Sequence, residues 1–272
     1  MNKKILVIGE ECEDKFVYGT CTRLSPEAPV PILIPEFEKT CRGMAGNVFD
    51  ILTTLIHRHS SVPIQCEFIT NPEKITKTRF VDQKSNQQFL RVDNEPSSVF
   101  ELQDYEGIIN PTLSAVLISD YNKGLLSETI LEYIGSRCHE LGIPCFLDTK
   151  KILGEWVYPF IVKINEVEYE RTKEVRAEIL EELDSRGHLI VTLGSKGCLW
   201  KTVRYPAKEP HSVFDVSGAG DVFLSTFVFR YLTVGIDSNR MISSLEWANY
   251  AASYSVTQKG TASIPSTFPD LS

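Results

Sequence analysis

The stretch Asp215-Val216-Ser217-Gly218-Ala219-Gly220-Asp221 combines the residue types that anion chemistry needs, directly before the apolar run Val222–Tyr231. Two glycines at a helix start let backbone N–H groups approach an anion closely, and the positive end of the helix dipole adds to the attraction. Asp221 falls in the first helical turn, beside the place where a transferring phosphoryl group would sit. A carboxylate there can accept the proton of an attacking hydroxyl. An ordinary helix that opens on a glycine turn with an acid in its first turn has the same sequence, and the motif alone does not separate the two. No GxxxxGK(S/T) loop is present. Gly218-Ala219-Gly220 also lacks the third glycine of a dinucleotide fingerprint and lies far from the first strand.

A helix start of this kind works only when a rigid sheet holds it, and the rest of the chain supplies the pattern for one. Short apolar runs at 4–9, 114–118, 144–148, 161–164 and 189–193 read as buried strands. Ser114-Ala115-Val116-Leu117-Ile118 is continuous rather than alternating, as a parallel strand covered on both faces requires. Helical patterns lie between them. In 45–57, Val48, Ile51, Leu52, Leu55 and Ile56 form one apolar stripe. The helix 128–141 has Ser127 as N-cap and Gly142 as its stop. A further helix covers 173–186, and two long ones, 219–234 and 239–257, close the chain. This alternation predicts an α/β protein, a three-layer α/β/α sandwich around a mostly parallel, doubly wound sheet. Residues 15–41 carry four prolines (26, 29, 31 and 35) and no helical period, and 64–93 is again β-like. Together they are expected to form a small β-sheet lid over a cleft, with a pair of ordinary edge hairpins as the alternative.

The 272 residues are 42% hydrophobic and 24% charged, an ordinary globular composition that leaves out disordered and collagen-like classes. Lys and Arg number 28 against 36 Asp and Glu, a formal charge of −8 with no basic tail, which argues against nucleic acid and anionic membranes as partners. No stretch reaches the ~18–20 apolar residues of a membrane helix, and Ile5–Gly9 is too short for a signal sequence. Seven Cys, an odd number without a CxxC, suit reduced thiols in a cytoplasm rather than disulfides or zinc. His57 and His59 read as surface histidines.

The stretch Asp215–Asp221 resembles the signature of the ribokinase-like (PfkB) sugar kinases, and further segments match that family in order. They are Ile5–Gly9 with Asp14, Tyr18-Gly19, Thr22-Arg23-Leu24-Ser25-Pro26-Glu27-Ala28-Pro29-Val30-Pro31, Gly43–Val48 and Ile75–Arg79. Asn86–Asp93, Ser119–Gly124, Asp148-Thr149-Lys150, Asn165 with Glu168, and Lys259-Gly260-Thr261-Ala262 follow. The resemblance covers nearly the whole chain. The Ser-Pro-Glu-Ala-Pro-Val-Pro and Asn-Gln-Gln segments are similar to the branch that phosphorylates D-glycero-β-D-manno-heptose 7-phosphate at O1, on the route to ADP-heptose and lipopolysaccharide.

The resemblance implies one ribokinase-like kinase domain over 1–272, without a nucleotidyltransferase domain, that uses ATP, Mg²⁺ and a monovalent cation. It implies Asp221 as base, with Gly218, Ala219 and Gly220 holding the transferring group. Asp14, Gly43 and Asn47 would hold sugar hydroxyls, and Arg23, Arg79, Arg91 and Lys123 would hold the substrate phosphate. Asn165 and Glu168 would organise hydrated Mg²⁺ through water. Thr192, Gly194, Gly197, Asn249, Ala252, Lys259, Gly260 and Thr261 would line the nucleotide. It also implies a cytoplasmic homodimer joined through the lid. Other outcomes are a PfkB kinase for a different sugar or a catalytically silent sugar-phosphate binder. Three departures stand out: Glu10 where the family has Asp, Met44 where it has Gly, and a five-residue connection near 58–64 where it has a strand and helix.

Overall fold

The computed structural model describes residues 3–96, 100–208, 213, 216–235 and 239–257. The chain opens with β1 (Lys3–Gly9), β2 (Glu11–Leu24), β3 (Pro31–Met44) and α1 (Ala45–His59). Next come β4 (Ile64–Ile69), β5 (Ile75–Asp82), β6 (Gln88–Asn94), β7 (Ala115–Asp120), α2 (Glu128–Glu140) and β8 (Cys145–Thr149). It continues through β9 (Ile161–Asn165), α3 (Glu166–Arg186), β10 (Leu189–Thr192), β11 (Cys198–Trp200) and β12 (Val203–Tyr205). The helices α4 (Ala219–Thr233) and α5 (Arg240–Ser255) complete it.

The main sheet has eight strands in the order β12-β11-β10-β9-β8-β7-β1-β4. Pairing is parallel from β4 through β10 and antiparallel only in the terminal β10-β11-β12 segment. Successive residues of β1 show why its apolar run is unbroken. Ile5 and Val7 pack with α1, α4 and α5, whereas Leu6 and Ile8 pack with α2 and α3. The expected three-layer α/β/α arrangement is therefore present. Helix α4 is apolar nearly all round because it lies between the sheet and the helices α1 and α5. Its Phe227 is buried edge-on to Phe146 of β8, with ring centroids 5.9 Å apart.

Two expectations change. Residues 64–69 do not belong to the small sheet: as β4 they pair in parallel with β1, from Lys3–Ile64 to Ile8–Ile69. Their alternation is that of an edge strand with one covered face, since Ile64, Cys66 and Phe68 pack on the core while Glu67 faces out to Lys4. The short 60–63 connection leads straight from α1 into this edge. The helix expected over 173–186 begins seven residues earlier, at Glu166, and is interrupted at Arg176, whose φ and ψ are −147° and 61°.

The small sheet has the order β3-β2-β5-β6. It joins the main sheet where β1 runs into β2 and where β3 runs into α1, and the Ala45 N–H donates to the Glu10 carbonyl at 2.9 Å across that junction. Met44 ends β3 with φ 59° and ψ −136°, a backbone state that favours glycine. Its side chain is buried with Cys12 and Ile75 beside Tyr121.

Candidate active site

Gly218 turns the chain into α4 in the left-handed conformation, φ 80° and ψ 0°, which a residue with a Cβ adopts at a cost. The Ala219 N–H reaches back to the Val216 carbonyl at 3.3 Å, and the following amides of the first turn have no helical acceptor. Asp221 follows in that turn. It is buried, and its carboxylate accepts two hydrogen bonds, from Asn47 Nδ2 to Oδ2 at 2.8 Å and from the Tyr121 hydroxyl to Oδ1 at 3.0 Å. Burial pushes its pKa above the ordinary carboxylate value, against the Asn47 and Tyr121 hydrogen bonds, which favour the charged form. Burial and the Asp221 charge hold the Tyr121 phenol well above its usual range, which keeps it a donor.

Three separate elements thus meet at one carboxylate: α4 carries it, α1 brings Asn47, and the loop after β7 brings Tyr121. That loop is shaped by Glu10. The Glu10 carboxylate is fully buried and accepts the backbone N–H groups of Tyr121 at 2.8 Å, Lys123 at 2.9 Å and Leu125 at 3.2 Å. Asp120, which precedes Tyr121, accepts from Thr149 Oγ1 and Lys151 Nζ at the end of β8.

A cleft of about 390 Å³ opens over the start of α4. It gathers Gly218, Ala219, Gly220 and Asp221 with Asn165, Thr192, Gly194, Gly197, Asn249 and Ala252, six residues expected to face a nucleotide. Asn249 of α5 donates to the Tyr205 carbonyl at 3.1 Å and to Cys198 Sγ at 3.4 Å, tying β11 and β12 to α5. Asn165 caps α3: its Oδ1 accepts the Glu168 N–H at 2.9 Å while Glu168 Oε2 accepts the Asn165 N–H at 2.8 Å, a reciprocal capping box. The other Glu168 oxygen is bonded to Lys150. Lys259, Gly260, Thr261 and Asp215 lie outside the described residues.

The residues expected to hold the sugar are less uniformly placed. Asp14 is bonded to Arg79 and stands against Gly43, where a Cβ would collide with its carboxylate. Asn47 reaches Asp221, as described. Arg91 is paired with Asp93 through two bonds, Lys123 with Glu95, and Arg23 is exposed near the end of β2. Of the four cations expected to grip a phosphate, Arg79 and Arg91 face each other across β5 and β6, and Arg79, Arg91 and Lys123 each already hold a carboxylate.

Residue patterning missed a charged group in the cleft wall. Lys163 of β9 donates to Asp148 Oδ2 of β8 at 2.6 Å, and Lys150 stands 3.6 Å from Asp148 Oδ1. Burial works against the Asp148 charge, but Lys163 and Lys150 hold its pKa below the ordinary value. The signal was available: a lysine inside Ile161-Val162-Lys163-Ile164 breaks a buried strand and demands a partner.

A doubly wound sheet that presents a glycine-rich helix start, a buried carboxylate and a nucleotide-sized cleft at one end is a ribokinase-like fold. Over residues 20–267 the sequence matches the pfkB family carbohydrate kinase model, and the chain belongs to that family of sugar kinases. It is 30% identical over 307 residues to the bifunctional protein HldE of Helicobacter pylori, covering 96% of this chain and 64% of that one. To the protein of that name from Granulibacter bethesdensis it is 26% identical over 312 residues, 96% and 63% of the two chains. The chain therefore spans less than two thirds of these relatives' length. In fold it is similar to Arabidopsis thaliana ribokinase complexed with ribose and ATP, with a TM-score of 0.66, 17% identity and coverage of 96% and 95%. The nucleoside kinase of Methanocaldococcus jannaschii gives a TM-score of 0.64 at 18% identity, covering 95% of this chain and 93% of its own.

Proposed function

We propose that this carbohydrate kinase transfers the γ-phosphoryl group of ATP to a sugar that already carries a phosphate, and that its substrate is D-glycero-β-D-manno-heptose 7-phosphate, phosphorylated at O1. The observation that carries the reading is the placement of Asp221: a buried carboxylate with two side-chain donors, in the first turn of a helix whose amides face the same cleft. Asp221 takes the proton of the attacking hydroxyl as the new O–P bond forms. Amides from Gly218 to Gly220 hold the charge that develops on the transferring group. Asn47 and Tyr121 keep the carboxylate aimed, and Asp14, Gly43 and Arg79 offer the sugar a polar wall beneath the small sheet. Support for the heptose phosphate comes from the branch-specific segments and from the HldE relatives, and we propose that the chain works as a cytoplasmic homodimer joined through the small sheet.

Mg²⁺, held through its water shell by Asn165 and Glu168, would supply neutralisation of the charge on the nucleotide phosphates. Among the described residues no group of three acidic, His or Cys side chains could ligate an ion directly. Asn165 lines the cleft and Glu168 stands one bond behind it, a donor set that suits an ion held through its water shell. Glu168, already shared between the Asn165 N–H and Lys150, acts by fixing both.

Met44 favours a second reading, a PfkB kinase for a different sugar phosphate, because its buried side chain fills space beside Tyr121. Release of ADP measured across a panel of sugars and sugar phosphates separates the two. Turnover concentrated on the heptose 7-phosphate supports the first, and turnover on another member supports the second. No turnover on any member, with retained binding, would make the protein a silent sugar-phosphate binder and overturn both.

A further inference from the structure

Lys163 interrupts the apolar strand β9 and is only 4% exposed. Burying an ammonium group is costly unless its donors are met, and an ammonium has three. Among the described residues one acceptor is recorded, Asp148 Oδ2 at 2.6 Å. The remaining donors belong to a side chain that lines the cleft. Its Nζ stands 3.3 Å from the point that a Cβ on Gly220 would occupy, against the first turn of α4. Two anion-attracting features of independent origin therefore converge: the open amides of a helix start and a buried cation supplied by the neighbouring strand. Lys150 lies on the other side of Asp148 and is drawn toward Glu168, so that among the described residues Lys163 is the cation placed against Gly220.

We propose that Lys163 binds the terminal phosphate of the nucleotide, and that Asp148 holds the ammonium in position while the phosphate is absent; this rests on the kinase reading above. Asp148 remains one acceptor of the ammonium when the phosphate arrives, and phosphate oxygens take the two donors left over. Glycine at 220 leaves the ammonium its room, since a Cβ there would stand 3.3 Å from the Nζ, closer than an ordinary contact. A cation in that place distinguishes a nucleoside triphosphate from a monophosphate. Adenosine and ribose contacts elsewhere in the cleft do not.

The test is calorimetric titration of the full chain with AMP-PNP, a triphosphate that is not hydrolysed, and separately with ADP and AMP. Lys163→Met should weaken AMP-PNP binding by about ten- to a hundredfold, the range for a lost charge-assisted contact, while leaving AMP affinity unchanged. Asp148→Asn should retain or tighten AMP-PNP binding, because it removes a negative charge but keeps the ammonium and an amide oxygen that can accept from it. Should Lys163→Met fail to fold around an unpaired Asp148, the double variant Lys163→Met/Asp148→Asn removes both charges and carries the same expectation. Equal losses for AMP-PNP and AMP in the Lys163 variants would show a merely structural lysine and overturn the proposal, as would a triphosphate preference that persists undiminished. A wild-type chain that binds none of the three nucleotides overturns the kinase reading itself, and this proposal with it.

Discussion

Asp221 has to be charged to act as a base, yet its surroundings raise its pKa, and that conflict is measurable. Burial favours the neutral acid, whereas the donors on Asn47 and Tyr121 favour the carboxylate. The raised pKa means that the active, ionised form is lost as pH falls through a value above the ordinary one, so the acid limb of the kcat profile should lie above the unperturbed Asp range. Tyr121→Phe removes a donor to the carboxylate and should move that limb to higher pH; a profile unchanged by the substitution would show that the 3.0 Å contact has no bearing on the base. Asp221→Asn keeps the size of the side chain and removes the base. Its kcat should fall by about 10²–10⁴-fold, the usual contribution of general-base catalysis, with nucleotide affinity retained. Steady-state kinetics on the best substrate of the panel check both, and an undiminished kcat in Asp221→Asn would falsify the catalytic assignment.

At the level of elements, the start of α3 has two jobs that substitution can separate. Asn165→Ala removes the side-chain acceptor for the Glu168 N–H and should cost about 1 kcal/mol in thermal or denaturant unfolding. Asn165→Asp keeps the cap, so a loss of Mg²⁺-dependent turnover in that variant, without loss of stability, would belong to the site rather than to the helix. In α4, Phe227→Ala should cost about 3–5 kcal/mol, because the ring is enclosed by Phe146, Phe223 and Tyr231 and leaves a cavity that the sheet cannot close. These two helices also show what was legible beforehand. The stripe in α1 and the unbroken apolar runs of β1 and β7 report burial directly, and their positions followed from residue type alone. Seven residues of α3 did not, since Glu166–Thr172 carries four charged side chains, and its helicity comes from the cap and from the buried Thr172 rather than from an apolar face. In the site, the glycine turn and Asp221 were legible because local chemistry dictates them. Tyr121, Lys163 and the clamp made by Glu10 were not, because each depends on residues more than 10 positions away that only the sheet order brings together.

At the scale of the molecule, the small sheet leaves both of its outer strands, β3 and β6, without a neighbour among the described residues. Ile34 and Phe37 on β3 and Leu90 and Val92 on β6 are exposed, an apolar load that a four-stranded layer does not keep in water without consequence. Pairing with the same sheet of a second copy would cover it. Light scattering should therefore find a dimer, and Ile34→Glu/Phe37→Glu should give a monomer with an intact main sheet by circular dichroism; a wild-type monomer that retains full activity at high micromolar concentration would count against the pairing. The main sheet has an asymmetry of its own. Its centre is laid down by parallel strands buried on both faces, whereas the three-residue strands β11 and β12 at the far edge, whose flanking residues Gly197, Ala207 and Lys208 line the cleft, are tied to α5 by the Asn249 amide. Local opening is least costly where the ladder is shortest and has a neighbour on one side only. Amide protons of β11 and β12 should exchange with solvent far sooner than those of β1 and β7, and a bound nucleotide should slow them selectively. On the proposed kinase reading, the doorway for the phosphoryl donor and the spent nucleotide would be the part of the sheet that breathes, while the strands behind the supports of Asp221 stay closed.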